Sequence, residues 1–234
     1  NPKVSPKRPI AQSFAELYRS SIFNYDEVLN RVYGGREDGE ELMLCIMPDE
    51  FEESFEPYAE WNRKTGTNIH VTTFSDIGAN AYNPDIIKDH CEDAYFNWET
   101  PPTYVLVIGD DGVFPAKTIT YPDYSFAYDN YFVNVDGNDE VPEMMIGRFT
   151  NQGDYRMRVM INKYQLYEEH PYIEETDWFT SGTCCSNNDY ESQVETKRFT
   201  RNCMVEDGGF THVDTLMSDG WGWNCSMDVD DIIY

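Results

Sequence analysis

Three apolar runs, LMLCIM (42–47), NIHVTTF (68–74) and TYVLVIG (103–109), recur with room for a helix between each pair, and this spacing constrains the fold more than any other feature. The first run has no polar position, as a strand requires when both of its faces are covered. Between the first two runs, Phe51, Phe55, Tyr58 and Ala59 lie at helical spacing and predict a helix from about Asp49, with Gly66 just past its end. Between the second and third, Asn83 as N-cap and Pro84 in the first turn open a helix that turns Ile86, Ile87, Cys91 and Ala94 inward. Strand, helix, strand, helix, strand at this spacing predicts a parallel sheet with helices on both faces, an α/β layered subdomain.

The pattern loosens into a Tyr- and Asp-rich stretch (121–143), read as loops with an antiparallel hairpin or edge. Order returns with MMIGR and a helix from about Asp154 carrying Met157, Met160, Ile161 and Tyr164 as a stripe. A strand at WFTSGTC, a helix over 191–206 and a strand at FTHVDTL start a second α/β unit. The closing SMDVDDII reads as the start of a helix capped by Ser226, so the chain is expected to be a fragment that stops inside an element. Residues 1–40 hold a Pro/Lys-rich arm, an amphipathic stretch with Phe14, Leu17 and Tyr18, and the loop GGREDGE, and they read as a linker.

Charge narrows the partners. The 43 acidic residues against 17 basic ones give a net charge of -26, which repels nucleic acid and favours cationic partners, although solubility alone also accounts for it. No run approaches the roughly 18 apolar residues of a membrane span, and no signal peptide opens the sequence, as expected of a mature or excised soluble segment. Cys184, Cys185, Cys203 and Cys225 crowd the last quarter, where a disulfide is expected, whereas Cys45 and Cys91 fall on a strand and on an apolar helix face as buried thiols.

Chemistry is sparse. P-loop, GxGxxG and GxSxG signatures are absent. The GDDG turn after the third strand lies where parallel sheets bind ligands, and Asp110 with Asp111 reads either as a metal or loop-orienting pair or as a turn bonded to its own backbone. The loop DGNDEVPE offers Asp136, Asp139, Glu140 and Glu143 plus carbonyls, an oxygen-only set suited to calcium, and without EF-hand spacing it reads equally as a plain acidic turn. The histidines, His70, His90, His170 and His212, show no zinc spacing. Pairing of His170 or His212 with Cys184 or Cys185 in a self-contained hydrolase stays open.

The segments PPTYVLVIGDDGVFPA, SFAYDNYF, VDGNDEVPEMMIGRF and the helix ending in KYQLYEEHP stand in the order and spacing of the gingipain family of bacterial cysteine peptidases. The resemblance runs from about Leu42 to Tyr234, so that 41–234 is read as an incomplete caspase/gingipain-like subdomain, and FAELYRSSIFNYDEV resembles the segment joining that family's propeptide to its catalytic unit. It implies the first half of a secreted or surface cysteine endopeptidase, acting on a protein or peptide substrate for which basic residues are favoured. The catalytic histidine and cysteine would lie in the remaining half of the domain. It further implies Asp189 as the acid that orients the histidine and Glu191 as a specificity-pocket acid, with departing spacing at the latter. Asp139 and Glu143, with carbonyls of Asp136 and Val141, would hold a structural calcium ion. Arg31 and Arg36, in the polar stretch before the first strand, are the expected maturation cleavage positions. The alternative is a catalytically silent binding or scaffold domain derived from the same family.

Overall fold

The computed structural model describes residues 9–122, 124–137, 139, 141–186 and 191–217. In chain order it runs α1 (Gln12–Ser21), α2 (Tyr25–Val32), β1 (Leu42–Met47), α3 (Glu52–Lys64), β2 (Asn68–Thr73), α4 (Phe74–Ile77), α5 (Pro84–Asn97), β3 (Tyr104–Ile108), β4 (Thr118–Thr120), β5 (Ser125–Ala127), β6 (Met145–Phe149), α6 (Asp154–Glu169), β7 (Ser181–Ser186), α7 (Glu191–Glu206) and β8 (His212–Met217). The chain divides into two units, Asn1–Glu169 and His170–Tyr234.

In the first unit a four-stranded sheet has the order β2-β1-β3-β6, and every pairing in it is parallel. Because successive strand residues point to opposite faces, β1 and β3 each feed two cores. Leu44, Ile46, Val105 and Val107 pack with Ile87, Cys91 and Ala94 of α5 and with Phe114, Phe132 and Met144. Cys45, Met47, Leu106 and Ile108 face the other way, against Phe55, Tyr58 and Ala59 of α3 and Met157 and Ile161 of α6. Burial pushes the Cys45 and Cys91 thiols up to about 12, so both stay protonated and act as small hydrophobes.

Local chemistry sets the boundaries. Asn83 Oδ1 accepts the Asp85 N–H at 3.0 Å with Pro84 at the first turn, the cap expected for α5. The second strand stops one residue short of Phe74, because Asp76 Oδ2 accepts both the N–H and the hydroxyl of Thr73, each at 2.8 Å, and opens α4 instead. The antiparallel hairpin expected beyond β3 is β4–β5, with Thr118 opposite Ala127. Residues 9–40 are folded: α1 and α2 bury Ile10, Ala15 and Tyr25 in a small cluster, and Tyr25 and Arg19 both donate to Glu37. Gly39 sits so close to Pro9 O, 2.8 Å from where a Cβ would stand, that a side chain there would push the arm off the body.

The second unit is a β7-α7-β8 crossover with its two strands parallel, the expected start of another α/β layer. Trp178, Phe179 and Thr180, expected in the strand, form a 3-10 turn over Asp177–Thr180 instead. The Ser181 and Thr180 hydroxyls donate back to Asp177 O, at 2.8 and 3.3 Å, and this local bonding competes with the ladder. Cys184, Cys185 and Cys203 carry free thiols, so no disulfide forms among them; Cys225 and the helix expected at Ser226 lie outside the described residues.

His90, half-buried on α5, meets Thr72 Oγ1 at 3.3 Å and the Trp98 ring edge-on. Desolvation, with Asp93 opposing it, His70 adding to it and Asp76 opposing it weakly, holds its pKa below the usual 6.5. The unfolded chain therefore binds the proton more readily, so His90 withholds stability as pH falls below about 6.5 and restores it above. Thermal melts from pH 8 to 5.5 are expected to show Tm falling through this window, with His90→Gln flattening the slope. Asp76 and Asp85, held low chiefly by hydrogen bonds from Thr73 and Tyr131, titrate in a lower window. A slope unchanged in His90→Gln would assign the effect elsewhere.

Candidate functional site

The carboxyl ends of the four parallel strands open into short turns, and side chains lace these turns to one another. After β1, Asp49 accepts from the backbone N–H and hydroxyl of Ser75, which follows β2. After β3, Gly109 takes φ +132, and an added Cβ would stand 2.8 Å from Phe114 Cβ, so only glycine permits the turn. Asp110 donates its N–H to Asn151 O at 2.7 Å, past the end of β6, while its carboxylate accepts from its neighbour's N–H and from Gln152 Nε2. Asp110 thus spends its oxygens on closing the turn.

Arg148 is the strongest tie at this edge. Its Nε and Nη2 donate to Asp129 Oδ2 and Oδ1 at 2.8 and 2.7 Å, and its Nη1 donates to Gly109 O at 2.7 Å. The guanidinium also lies 5.0 Å over the Phe114 ring, and its side chain is only 12% exposed. One planar cation thereby fixes the turn after β3, the 3-10 turn at Asp129–Phe132 and the end of β6. Neither Arg148 nor Asp129 stands out by motif; the signal is an arginine interrupting the apolar run MMIGRF.

The loop before β6 holds the expected calcium residues. Glu143 Oε2 accepts the N–H groups of Val135 and Asp136 at 2.8 and 3.1 Å, and Asp139 Oδ1 accepts that of Val141 at 2.9 Å. Carboxylate oxygens are hard donors of the kind calcium takes, so the residue types fit that ion chemically. Among the described residues no three acidic, cysteine or histidine side chains converge on one point, so the fit rests on donor chemistry.

In the second unit Glu191 is exposed at the first position of α7, where the helix dipole favours a carboxylate, and Asp189 lies outside the described residues. His212 pairs with Ser181 across the β7–β8 ladder, four positions from Cys185, or roughly 13 Å at strand rise, and its Nε2 meets Asp214 at 2.9 Å. Cys184 is buried with its Sγ 3.8 Å from Met204 Sδ, and among the described residues no histidine bonds either thiol. Arg31 and Arg36 are both exposed; Arg31 lies in the last turn of α2, while Arg36 pairs with Asp38 and its carbonyl accepts from Ile10 N at 3.0 Å.

The sequence model of peptidase family C25 matches residues 36–220. The chain belongs to peptidase family C25. Gingipain R2 of Porphyromonas gingivalis is 24% identical over 202 residues, covering 83% of this chain and 26% of that protein. Gingipain R1 of the same organism is 22% identical over 209 residues, covering 86% and 20%. The chain therefore spans about a quarter or less of the length of these relatives. In structure it is similar to the complex of the Porphyromonas gingivalis RgpB pro- and mature domains, with a TM-score of 0.63 at 24% identity over 76% of this chain and 42% of that one. It is also similar to the Arg-specific cysteine proteinase gingipain R, at the same TM-score and 22% identity over 79% and 42%. These likenesses place the C25 chain in the gingipain α/β fold.

Removing the guanidinium should loosen the edge of this C25 unit. Arg148→Met leaves the Asp129 carboxylate and Gly109 O without their donor, at an expected cost of about 1.5–3 kcal/mol for the lost charged hydrogen bonds. Urea unfolding of the variant checks this, and an unchanged midpoint would show the pair to be energetically neutral.

Proposed function

We propose that the chain is the first half of the catalytic domain of a secreted or surface cysteine endopeptidase, supplying one wall of the substrate cleft. The observation that carries this reading is the family match across residues 36–220, and it is supported by a parallel sheet whose carboxyl edge is tied into a rigid floor. Rigid placement of supporting groups is what acyl transfer by a cysteine thiolate requires. In this reading Asp189 orients the imidazole of the remaining half, and Glu191, at a helix start, offers negative charge to a basic substrate side chain. Protein or peptide is the substrate class. Maturation cleavage in this reading follows one of Arg31 and Arg36. Cutting after Arg36 needs the Ile10 contact to open first, and terminal sequencing of the mature protein locates the cut.

Thiolate, imidazole and oxyanion donors must be preorganised together, and in this reading the first two belong to the remaining half. The purified 234-residue chain is therefore expected to show no turnover of peptides with Arg, Lys or apolar residues before the scissile bond, while the full-length protein cleaves them. Turnover by the chain that Cys184→Ala or Cys185→Ala abolishes would overturn this reading.

Calcium belongs to the same proposal. Asp139 and Glu143, with carbonyls of Asp136 and Val141, would hold the ion and add a hard cation to a loop already closed by Glu143, stabilising the folded state by mass action. Chelation is expected to lower Tm and calcium to restore it. Identical melting curves before and after chelation and add-back would remove the site.

A further inference from the structure

The hairpin β4–β5 pairs only with itself, and among the described residues no strand adds to either of its outer edges. Tyr121 N bonds to Tyr124 O at 2.8 Å and Tyr128 N to Lys117 O at 2.7 Å, so Ile119 and Phe126, midway between, form the remaining hydrogen-bonded pair. By the same alternation the main-chain groups of Thr118, Thr120, Ser125 and Ala127 point outward from the ribbon, and all four residues are exposed. A two-stranded ribbon is at best marginal in water, and a third strand is one of the additions that stabilise it.

One face of the ribbon is apolar. Residues two apart along a strand, or directly opposite across the pair, share a face, which puts Ile119, Tyr121, Tyr124 and Phe126 together. The rings of Tyr121, Tyr124 and Phe126 lie within 24° of parallel, with centroids 5.0, 6.1 and 6.2 Å apart, yet they are 48, 61 and 42% exposed. Mutual stacking orders these rings in advance, which lowers the entropy cost of binding against them. On the other face the Ser125 hydroxyl donates to Thr120 Oγ1 at 3.0 Å, so these hydroxyls bond to each other. The ribbon therefore offers outward main-chain groups beside an apolar face, the two features that strand addition uses. Asp123, the one charged residue of 118–128, lies outside the described residues, and this recognition draws on no charge.

The base of the ribbon is fixed at the carboxyl edge of the sheet. Arg148 holds Asp129, just after β5, and reaches Pro115 O, before β4, at 3.4 Å. Lys117 Nζ meets Asp85 at 3.4 Å and lies 4.4 Å over the Tyr131 ring. A firm root thus carries the exposed rings at the end of the sheet where parallel strands bind ligands. We propose that this ribbon takes an extended segment of the peptide substrate, away from the scissile bond, as a third strand with alternate apolar side chains against Tyr121, Tyr124 and Phe126. The proposal rests on the reading of the carboxyl edge as one wall of the substrate cleft. It adds a preference for apolar residues at every second position, separate from the basic side chain assigned to Glu191.

The test titrates the 234-residue chain by NMR with acetyl-Ser-Leu-Ser-Leu-Ser-Leu-amide. One comparison peptide is N-methylated at every residue, and another holds the same residues in blocks, Ser-Ser-Ser-Leu-Leu-Leu. The alternating peptide is expected to shift the three rings and the amides of one outer edge, and the comparison peptides to leave them in place; equal binding of either overturns the proposal. Tyr121→Thr and Phe126→Thr, which keep strand propensity, should each weaken binding about tenfold. Phe126→Tyr, which keeps a ring, should retain binding, as should Phe23→Thr on the arm. Loss in Phe126→Tyr, or equal weakening by Phe23→Thr, overturns the proposal. Ring shifts reproduced by raising the chain concentration alone, or by maltohexaose, assign the face to a second copy or to a saccharide and overturn it too. In the full-length protein, a peptide substrate extended by the alternating segment should have a higher kcat/KM than the unextended one, and Phe126→Thr should abolish the difference. Absence of turnover on both substrates sinks the peptidase reading and this proposal with it, whereas turnover with a difference unchanged in Phe126→Thr sinks the ribbon's role alone.

Discussion

Two strands that bury both faces govern the first unit. β1 and β3 send alternate side chains into separate cores, so α5 must cover one side and α3 with α6 the other; remove either cover and about half of the apolar side chains of these strands meet water. The alternation also fixes register. A slip of one residue would exchange Leu44 and Ile46 for Cys45 and Met47, presenting each helix with the wrong surface. Even Pro57, which sits inside α3 and lacks an N–H, is tolerated because Phe55, Tyr58 and Ala59 anchor the helix around it.

The carboxyl edge inherits this rigidity and adds polar ties. Its turns are held by a glycine that no other residue can replace, by Asp110 closing on its own backbone, and by a guanidinium shared between two turns. The amino edge is built differently, from an arm of two short helices laid across the strand starts and joined to the body at Ile10 and Gly39. One end of the sheet is thus a tied floor and the other a groove under the arm.

The layered fold was legible in the sequence because its cause is local: LMLCIM has no polar face to expose, and the Asn83-Pro84 pair marks a helix start by its own chemistry. The errors came where side chains compete with the ladder. Thr73 bonds to Asp76 and ends β2, and Ser181 bonds to Asp177 and delays β7, and neither contact leaves a trace in hydrophobic periodicity. The folded arm was read as a linker because its core is a handful of residues that few apolar positions announce. The site was harder still. Arg148 meets Asp129 nineteen positions away and Gly109 thirty-nine positions away, pairings that only the assembled sheet creates. Asp139 and Glu143 stood out as members of an oxygen-rich loop that the resemblance then singled out, whereas Glu191 came from the resemblance alone.

β2 closes one side of the sheet, and no strand among the described residues pairs with its outer edge. Such an edge is a template for another copy of the chain, and here it is short and carries exposed Asn68 and His70. Mutual repulsion between molecules of charge -26 opposes the approach of two such edges at low ionic strength. The same acidity therefore acts between molecules as well as within one, and salt or protonation that screens it would lower the barrier to edge-to-edge approach.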